Sequence, residues 1–373
     1  MTSPTPPPVR AALLGTGAWA NVLAQAARGS RLEIVCCFSP TAERRDAFAA
    51  ATGIPAVGDL DRVWNDAGID AVVIAAPNDR HRTLAAQAAA CGKHVFVEKP
   101  IAHTLEDGLA MVALERAHGI LLAVGHCARM LAGNRWIAGA IAAGELGRVT
   151  HLQVTFSNDR GLRLTRGDWR FYSASAPGGP LSQIGIHQFD TLRALGGDLA
   201  AVSAQSARLS PIGAEVEDQW VVSIRFADGK LGSLVTSWTS PGEYRVQATG
   251  DRASIVYAVD QSSWAQPARL HEHAVLERQA RGDGPQARTR IPVPPGNMFR
   301  DELELFADAV RGDVPCELSA ANGCQALAAV EAAIVSASRG GAAVALDEML
   351  AAAAVRATQS GSAAHQADAM AHG

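Results

Sequence analysis

Three residues, Glu98-Lys99-Pro100, carry the clearest chemistry in the chain. They follow an apolar run, Lys93-His94-Val95-Phe96-Val97, that reads as a strand. A lysine just past the end of a strand in an open α/β sheet lies where such sheets bind ligands. Its amine becomes a usable acid or base only where burial or a nearby positive charge lowers its pKa. A second motif supplies a source of that charge. Gly15-Thr16-Gly17-Ala18-Trp19-Ala20 follows a first strand, Arg10 to Leu14, and opens a helical pattern. The first glycine permits a tight turn and the second lets the backbone approach a pyrophosphate. Ala20, in the third slot, still permits close packing of helix on strand. The helix N-terminus then offers free N–H groups and its dipole to the phosphates. Gly15, Thr16, Gly17, Ala18 and Trp19 are therefore candidate contacts of a dinucleotide, whose oxidised nicotinamide carries the positive charge that Lys99 needs.

The end of the second strand selects between dinucleotides. An acidic residue there binds the adenosine ribose, but this chain has Ser39, followed by Arg44 and Arg45. A carboxylate would repel a 2′-phosphate, whereas Ser39 with Arg44 or Arg45 accepts one. The pattern favours NADP over NAD.

Other candidates are more scattered. His126 and Arg129 follow the last strand of the first domain and could line a substrate side. Asn158, Asp159 and Arg160 end a later strand. Trp169-Arg170 precedes a glycine-rich loop, where Arg170 could reach a cofactor phosphate or a substrate oxygen, or serve a subunit contact. His187 lies on an apolar helical pattern after Ile184-Gly185-Ile186, with Asp190 one turn on. No cluster has metal-ligand spacing, so no metal is expected, and there is no serine nucleophile elbow.

The elements that must position these residues fall into two groups. From Arg10 to Val124, short apolar strands (10–14, 32–38, 54–57, 71–76, 93–97, 121–124) alternate with helical patterns (18–28, 41–52, 60–67, 79–91, 104–118). Strands without alternation, each followed by a helix, form a parallel sheet covered on both faces. Beyond Val124 come a helix at 135–143, a long strand from Gly147 to Phe156, a Gly/Pro loop and a helix at 181–195. Alternating strands follow near 201–209, 218–226, 230–238, 244–249 and 253–259, with helices at 298–311 and 320–338. This predicts an α/β protein with four segments. Residues 1–8 are a disordered lead-in. Residues 9–125 form an NAD(P)-binding Rossmann domain with a parallel sheet. Residues 126–350 form a second α/β domain with a mostly antiparallel sheet, to which the resemblance described below adds an open face and a substrate-binding and oligomerisation role. Residues 351–373 are a frayed tail.

Bulk properties agree. The chain has 373 residues, 48% hydrophobic and 19% charged, with a net charge of −4 and no basic block, which argues against nucleic acid or an anionic membrane as partner. No secretory h-region and no apolar run of membrane-spanning length is expected. The six cysteines form no CxxC pair. They read as buried thiols in a reducing compartment, and a cytoplasmic location follows.

Together, Gly15-x-Gly17, Glu98-Lys99-Pro100 and the segment Gly178-Gly179-Pro180-Leu181-Ser182-Gln183-Ile184-Gly185-Ile186-His187-Gln188-Phe189-Asp190 resemble the glucose–fructose oxidoreductase, inositol dehydrogenase and rhizopine-catabolism family (Gfo/Idh/MocA). Ala76-Pro77-Asn78-x-x-His81 is similar to that family's loop after the fourth strand, which adds Ala76, Pro77, Asn78 and His81 to the cofactor side. The resemblance runs from about Val9 to Leu346. It implies a Rossmann domain followed by an open-sheet domain, NAD or NADP as cofactor, and hydride transfer at a CH–OH carbon of a sugar, cyclitol or related polyol. It also implies homodimers or homotetramers built through the second sheet. Lys99 takes the place of the catalytic lysine and His187 that of the catalytic histidine, while Glu98 and Pro100 shape the cofactor side. The family pattern has Asp where this chain has Gln183. An amide cannot exchange a proton near neutral pH, so Gln183 is expected to hydrogen-bond a substrate hydroxyl or to orient Lys99. Lys99, His126, Arg129, Asn158, Gln183 and His187 form the expected substrate set. Three other outcomes are compatible with these motifs: a dihydrodiol- or imine-type substrate, redox-neutral sugar chemistry on a retained nicotinamide, and a non-catalytic dinucleotide-binding regulator.

Overall fold

The structure, a computed structural model, describes residues 6–284 and 287–371. The lead-in expected at 1–8 lies mostly outside them, and Pro6–Pro8 are irregular. The chain forms two compact units, Met1–His126 with Phe299–Cys324 and Ala352–Gly373, and Cys127–Met298 with Gln325–Ala351.

The first unit opens with β1 (Val9–Leu14), α1 (Ala18–Ala27), β2 (Leu32–Phe38), α2 (Ala42–Thr52) and a single turn α3 (Asp61–Trp64). It continues with β3 (Ala71–Ile74), α4 (His81–Ala90), β4 (His94–Glu98), α5 (Leu105–His118) and β5 (Leu122–Gly125). The five strands are parallel in the order β2-β1-β3-β4-β5. Every residue of β3 and β5 is buried, as expected of strands covered on both faces. Helix α1 buries Ala20, Leu23, Ala24, Ala26 and Ala27, a broad face of small and apolar residues. The strand order reverses direction between β1 and β3, so the loops after those two strands flank the crevice where such sheets take ligands.

Two expectations fail here. Residues 54–57 make only a single bridge, Cys37 to Ala56, because Pro55 has no N–H for a ladder. Glu98 therefore ends the fourth strand, not the fifth. The helix expected over 60–67 stops at Trp64, where Asp66 turns its carboxylate onto the N–H of Gly68 at 2.8 Å and offers the backbone an alternative to the helix.

The second unit begins with α6 (Ala132–Ala142) and β6 (Val149–Ser157). A loop and a π-helical turn at Leu181–Gly185 lead into α7 (Ile186–Gly196). Then come β7 (Leu199–Ala207), β8 (Gln219–Phe226), β9 (Leu231–Ser237), β10 (Glu243–Gly250), β11 (Ala253–Val259), the short α8 (Leu270–His273), β12 (Val275–Ala280) and β13 (Thr289–Arg290). The chain ends with α9 (Met298–Arg311), α10 (Ala320–Ser338), a two-residue β14 (Val344–Ala345) and α11 (Leu346–Ala371). Among the described residues the second sheet has nine strands, in the order β13-β12-β11-β10-β6-β9-β8-β7-β14. Only β6 and β9 pair in parallel. Burial alternates strictly along β8, so one face is covered and the other is open. The covered face meets α7 closely: a Cβ on Gly196 would come within 2.4 Å of Phe226 and 2.6 Å of Leu152.

β12, β13 and β14 are too short or too polar to have been expected from sequence. The stretch read as a frayed tail continues α11 to Ala371. Helix α10 is apolar enough, by length and composition, to cross a membrane, against the sequence expectation, but 61% of that window is buried inside the protein. Its alanines reach the required hydropathy while packing as a core helix. All six cysteines are free, but Cys91 is exposed rather than buried.

Candidate active site

The carboxyl edge of the first sheet is built by glycine. Gly15 has φ +108°, a conformation that side chains rarely adopt, and a Cβ there would fall 2.4 Å from the carbonyl oxygen of Ala75. Its N–H donates to the carbonyl of Phe38 at 2.9 Å. One residue thus joins the loops after β1, β2 and β3. Gly17 differs, since a Cβ there would meet nothing within 4 Å. It caps α1 without any side-chain hydrogen bond, which leaves the first N–H groups of α1 with no capping side chain. That arrangement fits the pyrophosphate of a dinucleotide.

At the end of β2, Ser39 is buried, and its carbonyl accepts a hydrogen bond from Arg45 at 3.0 Å. Arg45 is engaged with the protein, whereas Arg44 is exposed on α2. No carboxylate occupies the Ser39 position.

Lys99 is half-buried just past β4, on the same edge as Gly15. The Lys99–Pro100 bond is cis, and the Lys99 N–H donates to its neighbour Glu98 at 3.3 Å. His81, expected among the cofactor contacts, ties two loops together. It is buried at the start of α4, with Nδ1 3.0 Å from the carbonyl of Pro100 and Nε2 3.0 Å from that of Ala76. It joins the loop after β3, where Pro77 and Asn78 begin a short turn, to the Glu-Lys-Pro turn. Burial holds its imidazole below the usual pKa, against the pull of the two carbonyls. Glu98 is also turned inward. Burial pushes its carboxyl up to about 7, against the stabilising charge of Lys99 and a hydrogen bond from the Trp19 indole.

In the second unit, Gly178 and Gly179 have positive φ, and a Cβ on Gly179 would meet the carbonyl of Glu217 at 2.2 Å. This close passage leads into the π-helical turn that carries Gln183, a distortion of the expected regular helix of a kind often found at functional sites. Gln183 Oε1 accepts from Arg170 Nε at 3.2 Å, and the guanidinium lies over the Trp169 ring at 4.1 Å. Burial, and then the charge of Arg160, lowers the Arg170 pKa to about 10. His187 is buried one turn after Gln183.

Two expected substrate contacts also bond within the second unit. Arg129 is buried and forks onto Asp190, Nε to Oδ2 at 2.9 Å and Nη2 to Oδ1 at 2.5 Å. Asn158 holds its own loop, its Oδ1 accepting from the Arg160 N–H at 3.1 Å. His126 is buried at the end of the first unit, its N–H bonded to the Val124 carbonyl at 2.8 Å. Among the described residues no group of three or more His, Cys, Asp or Glu is arranged to hold a metal.

Residues 9–126 match the model of the oxidoreductase family with an NAD-binding Rossmann fold, and residues 135–256 match the GFO/IDH/MocA C-terminal domain. The chain belongs to the Gfo/Idh/MocA oxidoreductase family. Among its relatives is the 1,5-anhydro-D-fructose reductase of Ensifer adhaerens, 30% identical over 85% of this chain and 92% of that protein. Another is the NAD⁺-dependent scyllo-inositol 2-dehydrogenase of Bacillus subtilis, 29% identical over 81% of this chain and 86% of that one. A solved structure of a proposed NADPH-dependent oxidoreductase from Desulfitobacterium hafniense superposes with a TM-score of 0.88 at 31% identity, over 93% of this chain and all of that one. This Gfo/Idh/MocA protein is thus an oxidoreductase with an NAD-binding Rossmann domain, and its relatives are sugar and cyclitol dehydrogenases and reductases.

Within this family member, one buried group went unnoticed in the sequence. Glu302 stands on the buried face of α9, three residues after Phe299 and four before Phe306. A carboxylate at a core-facing position of an otherwise regular apolar stripe was the signal that could have found it.

Proposed function

We propose that the protein transfers hydride to or from a CH–OH carbon of a sugar, cyclitol or related polyol. The observation that carries this reading is the half-buried ammonium of Lys99 on the same sheet edge as the Gly15 turn. Gly15, Thr16, Gly17, Ala18 and the turn at Ala76–Asn78 would hold the dinucleotide, which supplies or accepts the hydride when bound. Lys99 exchanges the hydroxyl proton. His187 holds the reacting hydroxyl. Gln183, fixed by Arg170, bonds a further hydroxyl without changing charge.

Ser39 and exposed Arg44 favour the 2′-phosphate of NADP, since no carboxylate stands there to repel it. The open sheet face, where Val221 (56% exposed) lies opposite Val235 (37%), supports a homodimer or homotetramer. The free thiols support a reducing, cytoplasmic location.

The test is a panel of polyols, ketoses and anhydrosugars with NADP and NAD, followed by nicotinamide absorbance. Turnover of at least one substrate is expected, and Lys99→Ala should lower kcat by about 10²- to 10⁴-fold while dinucleotide binding persists. Dinucleotide binding without turnover across the panel, or near wild-type kcat in Lys99→Ala, overturns the reading.

A further inference from the structure

Behind Lys99 lies a pair of carboxyl groups that hydride transfer does not require. Glu98 and Glu302 are 6% and 0% exposed. An aromatic frame brings them together. Phe299 packs edge-on against Trp19 with ring centroids 5.3 Å apart, and Phe306 packs edge-on against Phe96 at 5.7 Å. Phe299, Glu302 and Phe306 share one face of α9. Phe96 and Glu98 share one face of β4. The Trp19 indole donates to Glu98. Gly125, paired with Glu98 on the neighbouring strand, closes the enclosure, and a Cβ there would come within 3.0 Å of Glu98 Oε1.

Among the described residues, neither oxygen of Glu302 nor Oε1 of Glu98 has a hydrogen-bond partner. The charges that act on the pair are Lys99 from the turn after β4 and Asp301 from α9. Lys99 favours an ionised Glu98, and Asp301 disfavours an ionised Glu302. One adjacent cation compensates one carboxylate, and a second ionised carboxylate in the same apolar enclosure would be buried without a partner.

We propose that Glu98 and Glu302 form a proton-sharing carboxyl pair behind Lys99, with Glu302 a positioning residue that holds the proton and thereby sets the charge of Glu98 and of the lysine. The catalytic consequence rests on the reading of Lys99 given above; the pair itself does not. Burial and the charge of Glu98 hold the Glu302 carboxyl well above the usual range, and the two titrate together. Both folded-state pKa values are raised, so the folded protein binds the proton more tightly than the unfolded chain. The stability this contributes is complete below the unfolded value of 4.5 and is lost as pH rises through the two raised folded-state values, about 7 for Glu98. An ionised Glu98 raises the pKa of Lys99 and a neutral one lets it fall, so the titration of the pair marks the pH profile of kcat/KM.

The test is infrared spectroscopy of the folded full chain at about pH 8, far above ordinary carboxylate pKa values. The wild type should show the C=O stretch of a protonated carboxyl, and Glu302→Gln should lack it. Glu302→Gln should also gain Tm relative to wild type as pH rises, because the second buried ionisation is removed. A wild type without the protonated band overturns the pair. So does a Glu302→Gln protein with the same Tm difference from wild type at every pH. If Glu302→Gln does not fold, the wild-type spectrum decides alone. Turnover without the band sinks only the pair, and the band without turnover sinks only the oxidoreductase reading.

Discussion

Arg129 and Asp190 meet through two hydrogen bonds where both are almost fully buried, and each is the other's neutralising partner. The polar interior of the second unit continues beside them. Asn134 donates to the Ala128 carbonyl at 2.7 Å and to the Tyr244 hydroxyl at 2.6 Å, and Tyr244 meets Thr191 at 3.4 Å. Removing one member of a buried ion pair leaves an uncompensated charge, whereas removing both need not. Asp190→Asn should therefore destabilise the protein by roughly 3–5 kcal/mol in denaturant unfolding, and Asp190→Leu combined with Arg129→Met should recover much of that. A small loss in Asp190→Asn would mean that the pair is not a structural anchor. Residue type and position suggest a ligand contact for Arg129; only the fold shows that a carboxylate sixty-one positions away also meets it.

The same contrast appears among the elements. Gly15 and Gly17 look equivalent as letters in one motif, yet they do different work. Gly15 is required by its own backbone angle and by the carbonyl of Ala75, while Gly17 faces open space. Gly15→Ala should cost about 1–3 kcal/mol of stability and weaken dinucleotide binding as the loops after β1 and β3 are pushed apart. Gly17→Ala should melt near the wild type but bind dinucleotide more weakly, because its added methyl group occupies space that the phosphates need. Calorimetric melting and a fluorescence titration separate the two effects, and equal losses of Tm in both variants would contradict the distinction. The π-helical turn at Leu181–Gly185 was not legible, because its residues fit a regular helix. The crowded passage of Gly179 past Glu217 belongs to a tertiary contact that local propensity does not contain.

At the scale of the whole molecule, the first unit is completed by a distant stretch of chain, Phe299–Cys324. Helix α9 returns to the first unit, where Arg31 forks onto Asp308 at 2.6 Å and approaches Glu304 at 2.9 Å. Two predictions belong here. Arg44→Ala should raise the Kd for NADP several-fold and leave that for NAD nearly unchanged; an equal change in both would remove the 2′-phosphate assignment. Val221→Lys, on the open face of the second sheet, should shift sedimentation toward a smaller species without lowering Tm, and an unaltered oligomer would move the interface elsewhere. Much of this architecture was legible from periodicity and punctuation. Unbroken apolar strands alternating with helices predict the parallel sheet, strict alternation predicts the open one, and the glycine turn and Glu98-Lys99-Pro100 mark the binding edge, because all of these signals are local. What the sequence left open was decided by distance in space. That Arg129 pairs with Asp190, and that Glu302 shares an enclosure with Glu98, depends on partners far along the chain, since burial and charge pairing are properties of the folded neighbourhood and not of the residue.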